Sequence, residues 1–146
     1  MIGRVTLLCV ALSSPALASS LVRVGQVSEA GVAMGTPGEA ECGDNGCQIA
    51  VTLLIGAQPL AAKAVVTFVA LGTYVAVEPA KGVQARIREF GSSRPEPVFL
   101  PRMTGAGPAV RLLRLSVEQG ARRPFAGPVP DAVLRIEVGA ASPPQG

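Results

Sequence analysis

No histidine occurs anywhere in the 146 residues. That absence removes the commonest general base at neutral pH, the serine–histidine and cysteine–histidine nucleophile systems, and the imidazole ligands of nearly all zinc and copper sites. Tryptophan is also missing, and the few Tyr and Phe bring aromatic content to only 3%. A core has to be assembled from Val, Leu, Ile and Ala, and the β-branched residues among these favour strands. Lysine is confined to Lys63, which flanks a strand-like run, and Lys81, which sits in a turn with Gly82; neither lies in a serine–lysine motif. No glycine-rich phosphate loop is present, since Gly105-Ala106-Gly107-Pro108 lacks a third glycine and runs into proline. These gaps predict no cofactor, no metal site and no catalytic residue.

Long apolar runs are scarce as well. Ala64 to Val77 is interrupted by Thr67 and Thr73 and is too short for the ~20 residues that span a bilayer. The other run opens the chain: Arg4, then an uncharged stretch from Val5 to Leu12, then Ser13, Ser14 and Pro15 before Ala16-Leu17-Ala18. A basic residue, a short apolar core and a small-x-small triplet form the pattern of a cleavable secretory signal. The expected cut lies between Ala18 and Ser19, leaving a periplasmic or secreted protein that does not span the membrane. Cys9 falls within the leader. Its preceding Leu8 is bulky where a lipoprotein signal requires a small residue, so Cys9 is expected to be discarded.

Removing residues 1–18 leaves about 128 residues, the size of one domain. We assign 19–139 to a single β domain and 140–146 to a disordered tail. Within the domain, Leu21–Val27 alternates as a first strand, with Val22 and Val24 on one face. Ser28–Glu41, with Pro37-Gly38, reads as a long connection. Cys47–Ile55 is dense enough in apolar residues to be a central strand buried on both sides. A turn spans Gly56 to Pro59, and Ala64–Leu71 and Tyr74–Glu78 follow as strand material, one long strand bent at Gly72 or two strands joined there by a tight hairpin. Val83–Phe90 alternates, and a short edge strand fits near Val98–Leu100 within a proline-punctuated loop that extends to Pro108. Val110–Val117 fits a strand with Leu113, Leu115 and Val117 inward. The same residues, between Pro108 and Gly120, also fit a short helix near 109–119. Asp131–Val138 completes the set. Six to eight short strands in one exported domain predict a small antiparallel β-sandwich of immunoglobulin-like type; the alternatives are a small β-barrel or a sandwich carrying that helix.

The cysteines that remain are Cys42 and Cys47, flanking Gly43-Asp44-Asn45-Gly46. Export predicts that they are joined. If Asp44 and Asn45 form a two-residue turn, Gly43 and Gly46 become the hydrogen-bonded pair, and the cysteines become the next pair outward, where the backbones approach closely enough for a bridge. A redox dithiol would separate the sulfurs by two residues at a helix N-terminus, and neither condition is met. Glu39, Glu41, Asp44 and Asn45 offer oxygen donors, but their spacing matches no calcium loop.

Net charge is only +3, but it is unevenly spread. Arg86 to Arg123 holds eight arginines against Glu89, Glu96 and Glu118, whereas Ser19 to Gly56 has Arg23 against four carboxylates. Arg86, Arg88, Arg111, Arg114, Arg122 and Arg123 are the candidate face for an anionic partner, whether an acidic protein, a glycan or a lipid headgroup. Export and the shortage of interleaved aromatics argue against nucleic acid. Glu89 with Glu96, and Asp131 with Glu137, are the only carboxylate pairings worth considering for a histidine-free glycan-cleaving enzyme, and each reads better as outward-facing charge. The expectation is a non-enzymatic binding or assembly-accessory protein whose partner is another envelope protein. A structural subunit of an envelope complex is the further alternative.

Overall fold

A computed structural model describes residues 19–102, 107–119 and 129–140. Nine antiparallel strands run in chain order: β1 (Ser20–Val27), β2 (Ala33–Cys42), β3 (Cys47–Ile55), β4 (Gln58–Val69), β5 (Gly72–Pro79), β6 (Ala85–Glu89), β7 (Val98–Pro101), β8 (Ala109–Gln119) and β9 (Ala132–Ala140). They form one curled sheet, a half-barrel, in the order β6-β8-β9-β1-β2-β3-β4-β5-β7. The all-β class is as expected, with more strands than the six to eight read from the pattern. No helix occurs among the described residues; the ambiguous segment near 109–119 is strand β8, in which Leu113, Leu115 and Val117 turn inward while Leu112 and Arg114 turn out.

Period-two alternation places the core. Val22 and Val24 of β1, Ile49, Val51 and Leu53 of β3, and Leu134 and Ile136 of β9 are all buried, and so are Ala62, Ala64 and Val66 of β4, Val75 and Val77 of β5, and Leu113, Leu115 and Val117 of β8. No aromatic ring is among the fully buried side chains, so packing depends on branched aliphatics. Strand β3 corrects one expectation: its Ile49 face is buried, but Ala50 on the other face is exposed and Thr52 and Leu54 are only half-buried.

The larger correction is β2. The segment read as a connection between Ser28 and Glu41 is mostly strand, paired along its length with β1. Apart from Cys42 it contributes no fully buried residue, so the apolar periodicity that reveals the other strands is missing here. Its form comes from the β1 backbone beside it. The register slips between Val24 and Gln26, where Gly35, Thr36 and Pro37 intervene on β2, and a proline with no N–H is tolerated at such an irregularity. On its other side β2 meets β3 at one ladder position, Thr36 opposite Thr52, before the hairpin bridge Gly43–Gly46. Gly35, at φ +64°, and Gly38 run so close to β3 that a Cβ on either would collide with the carbonyl of Thr52 or Ala50.

The expected Gly56–Pro59 turn tightens to Gly56-Ala57, and β4 begins at Gln58 opposite Ile55. Pro59 sits inside β4, opposite Leu54. This is harmless because the peptide groups of Leu54 point away from β4, toward β1 and β2. Gly72 divides the following run into two strands, β4 and β5. Ala140, assigned to the tail, is the last residue of β9, opposite Ser20; residues 141–146, like the leader with Ala16 and Ala18, lie outside the described residues.

Candidate functional site

The sheet curls until its two ends face one another, yet no backbone ladder joins β5 or β7 to β6 or β8. Ladder alternation shows which groups border this seam. Ala80 N–H donates to Ala61 C=O at 3.0 Å, so the even-numbered residues of β5 bond to β4 and the odd-numbered ones face the seam. Strand β7 takes up Thr73 and Val75 but ends at Val98, leaving the peptide groups of Val77 beyond its reach. On the opposite bank, Phe90 N–H donates to Arg114 C=O at 2.7 Å, so the even-numbered residues of β6 bond to β8 and Ala85 and Ile87 turn their peptide groups toward β5. A groove of about 280 Å³ opens between them, floored by Val75, Val77, Ile87, Leu113 and Leu115 and rimmed by Glu78, Arg88 and the Pro95-Glu96-Pro97 segment.

One side chain bridges the ends. Arg111, on the inward side of β8, donates from Nη1 to Phe99 C=O of β7 at 3.1 Å and from Nη2 to Glu89 of β6 at 3.4 Å. A planar guanidinium can serve both acceptors at once because its donors diverge in a fixed fork. Arg111 is thereby separated from the other candidate arginines. Arg86, Arg88 and Arg114 do share the outer face of β6 and β8, where Arg86 lies 4.0 Å from Glu118. Arg88 and Arg114 have no carboxylate within 4 Å among the described residues. Arg122 and Arg123 lie outside the described residues.

Cys42 and Cys47 stand across the β2–β3 hairpin with Cα atoms 5.4 Å apart and sulfurs at bonding distance. Gly46 N–H donates to Gly43 C=O at 3.0 Å inside them, around a turn at Asp44 and Asn45. The carboxylates considered for catalysis do not converge. Glu89 is held by Arg111, Glu96 lies 3.7 Å from Arg94, Asp131 accepts the Val117 N–H at 2.8 Å, and Glu137 pairs with Arg135 at 2.7 Å. No group of three or more His, Cys, Asp or Glu is arranged to hold a metal ion among the described residues, and no described helix is long and apolar enough to cross a membrane.

Sequence reading missed Gln26. It occupies an inward position of β1, in step with Val22 and Val24, and only 3% of its surface is exposed. A polar residue continuing an apolar alternation was the available signal. Comparison of the chain with protein-family models, with curated proteins and with solved structures gave no match.

Proposed function

We propose that this chain is an exported, non-enzymatic β domain that acts by binding another envelope protein, with the seam between β5 and β6 as the contact. The observation that carries the reading is that two strand edges face each other over an apolar floor while Val77, Ala85 and Ile87 direct backbone donors and acceptors into the gap. Exposed strand edges recruit extended segments through main-chain hydrogen bonds, and alternate side chains then set specificity. The Pro95-Glu96-Pro97 rim supports a gating role, because prolines block indiscriminate pairing at an edge. The cysteine bridge fits an oxidising compartment, in line with the exported reading. A sandwich of immunoglobulin-like type belongs to the same proposal, and the single aliphatic core enclosed by the curled sheet supports it.

The test is site-specific photo-crosslinking in the producing cell. Probes at Glu78 and Glu96, which rim the seam, should capture one discrete partner, and a probe at Ala50 on the exposed face of β3 should not. Ala85→Pro, which removes a seam-facing N–H at the first residue of β6, should abolish the adduct while leaving the fold intact. Recovery of uncrosslinked monomer from both seam positions would overturn the reading. Mass spectrometry of the secreted chain should find it beginning at Ser19 and lighter by two hydrogens at the cysteines.

A further inference from the structure

We infer that the outer face of β8 and β9 is a docking surface for an anionic lipid bilayer, an inference that does not rest on the partner proposed at the seam. Leu112 and Val110 project from that face, 45% and 46% exposed, although they belong to a strand whose opposite face supplies core leucines. Arg114 follows them on the same face, and Leu112 stands directly opposite Arg135 of β9. The register of β1 on β9, with Val27 opposite Val133, brings the β1–β2 turn to the same corner. Val32 in that turn and Val129 just before β9 are 63% and 54% exposed. A shallow depression of about 430 Å³ connects the turn to Leu112, Arg114 and Arg135.

Charge complementarity selects the occupant. The outward side chains of β6, β8 and β9 carry four arginines, Arg86, Arg88, Arg114 and Arg135, against Glu118 and Glu137. Glu118 lies 4.0 Å from Arg86 and Glu137 2.7 Å from Arg135, which leaves Arg114, and Arg88 at the rim of the seam, with no carboxylate within 4 Å among the described residues. Among the described residues, Glu29 in the β1–β2 turn is the one carboxylate lining the depression. Guanidinium groups interleaved with protruding aliphatic side chains match the headgroup layer of an anionic membrane: arginine meets phosphate while leucine and valine enter the acyl boundary. A purely acidic protein or glycan would account for the arginines and leave the aliphatics without a role.

Sedimentation of the purified protein with vesicles made of equal parts phosphatidylcholine and phosphatidylglycerol reads this directly. We expect binding that weakens as salt is raised and is much reduced on phosphatidylcholine alone. Arg114→Glu should lower partitioning by about tenfold or more, and Leu112→Asn by about threefold, with unchanged circular dichroism because both sites are exposed. Equal binding to both vesicle types, or to wild type and Arg114→Glu alike, overturns the inference. Binding that a soluble polyanion competes away and that Leu112→Asn leaves untouched also overturns it, and identifies an acidic polymer as the ligand of these arginines.

Discussion

The side-chain amide of Gln26 bonds to both peptide groups of Leu54, donating to its C=O at 3.0 Å and accepting from its N–H at 2.7 Å. It does for β3 what a neighbouring strand would do. Strand β2 lies between β1 and β3 but pairs with β3 only at Thr36 and at the hairpin, so Leu54 would otherwise face an interrupted ladder. The register slip between Val24 and Gln26 is what lets a residue of β1 reach past β2.

Gln26→Leu keeps the apolar volume but strands a donor and an acceptor at Leu54. Each unsatisfied group costs about 1–3 kcal/mol, so we expect roughly 2–4 kcal/mol of destabilisation. Urea unfolding should show a lower midpoint with the slope preserved. A loss below ~0.5 kcal/mol would show that water replaces the amide without penalty.

Replacing Cys42 and Cys47 together by alanine should cost about 2 kcal/mol, the loop-entropy value for so small a ring, and leave the strand content intact. The bridge and the Gly43–Gly46 hydrogen bond fix the same turn, so the loss of one leaves the other in place. Thermal melts with and without reductant give the comparison.

Arg111→Lys should not rescue Arg111→Ala, since a single ammonium cannot reproduce the divergent fork that reaches Phe99 and Glu89 together. The guanidinium is partly exposed, so we expect about 1 kcal/mol in global stability. Hydrogen exchange should report the larger effect, with amides of β6 and β7 losing protection while those of β3 and β4 keep theirs.

Glycine substitutions separate close packing from open space. Gly38→Ala drives a Cβ into the Ala50 carbonyl and should cost about 2 kcal/mol or more, whereas Gly43→Ala, which meets nothing within 4 Å, should remain within ~0.5 kcal/mol of wild type. Equal effects at the two positions would refute the close approach of β2 to β3.

Legibility followed burial. Strands β3, β4, β8 and β9 each show an inward row of aliphatics in the sequence, and their registers place those rows in the core. The Asp44-Asn45 turn was legible because four consecutive residues fix a hairpin locally. Strand β2 was not, because its stability comes from main-chain pairing with β1, and its side chains, Gly, Thr, Pro and Glu among them, carry no periodic mark. Arg111 joins its basic neighbours when charge alone is counted along the chain; the strand reading that turns Leu113 and Leu115 inward puts odd position 111 in step with them and away from Arg114. The seam required topology: nothing local in Val77 or Ile87 indicates that their edges end up opposite one another.

Ser20, at the start of β1, lies directly opposite Ala140, at the end of β9, and the two strands stay in register from there to the Val27–Val133 pair. Tension applied across these two points would therefore act along the interstrand hydrogen bonds and not across them, opening the ladder one rung at a time from the Ser20–Ala140 end. A domain tethered at both ends in this way yields at low force by peeling. Anchored through one end only, the same domain transmits no load through that ladder and keeps its sheet whole.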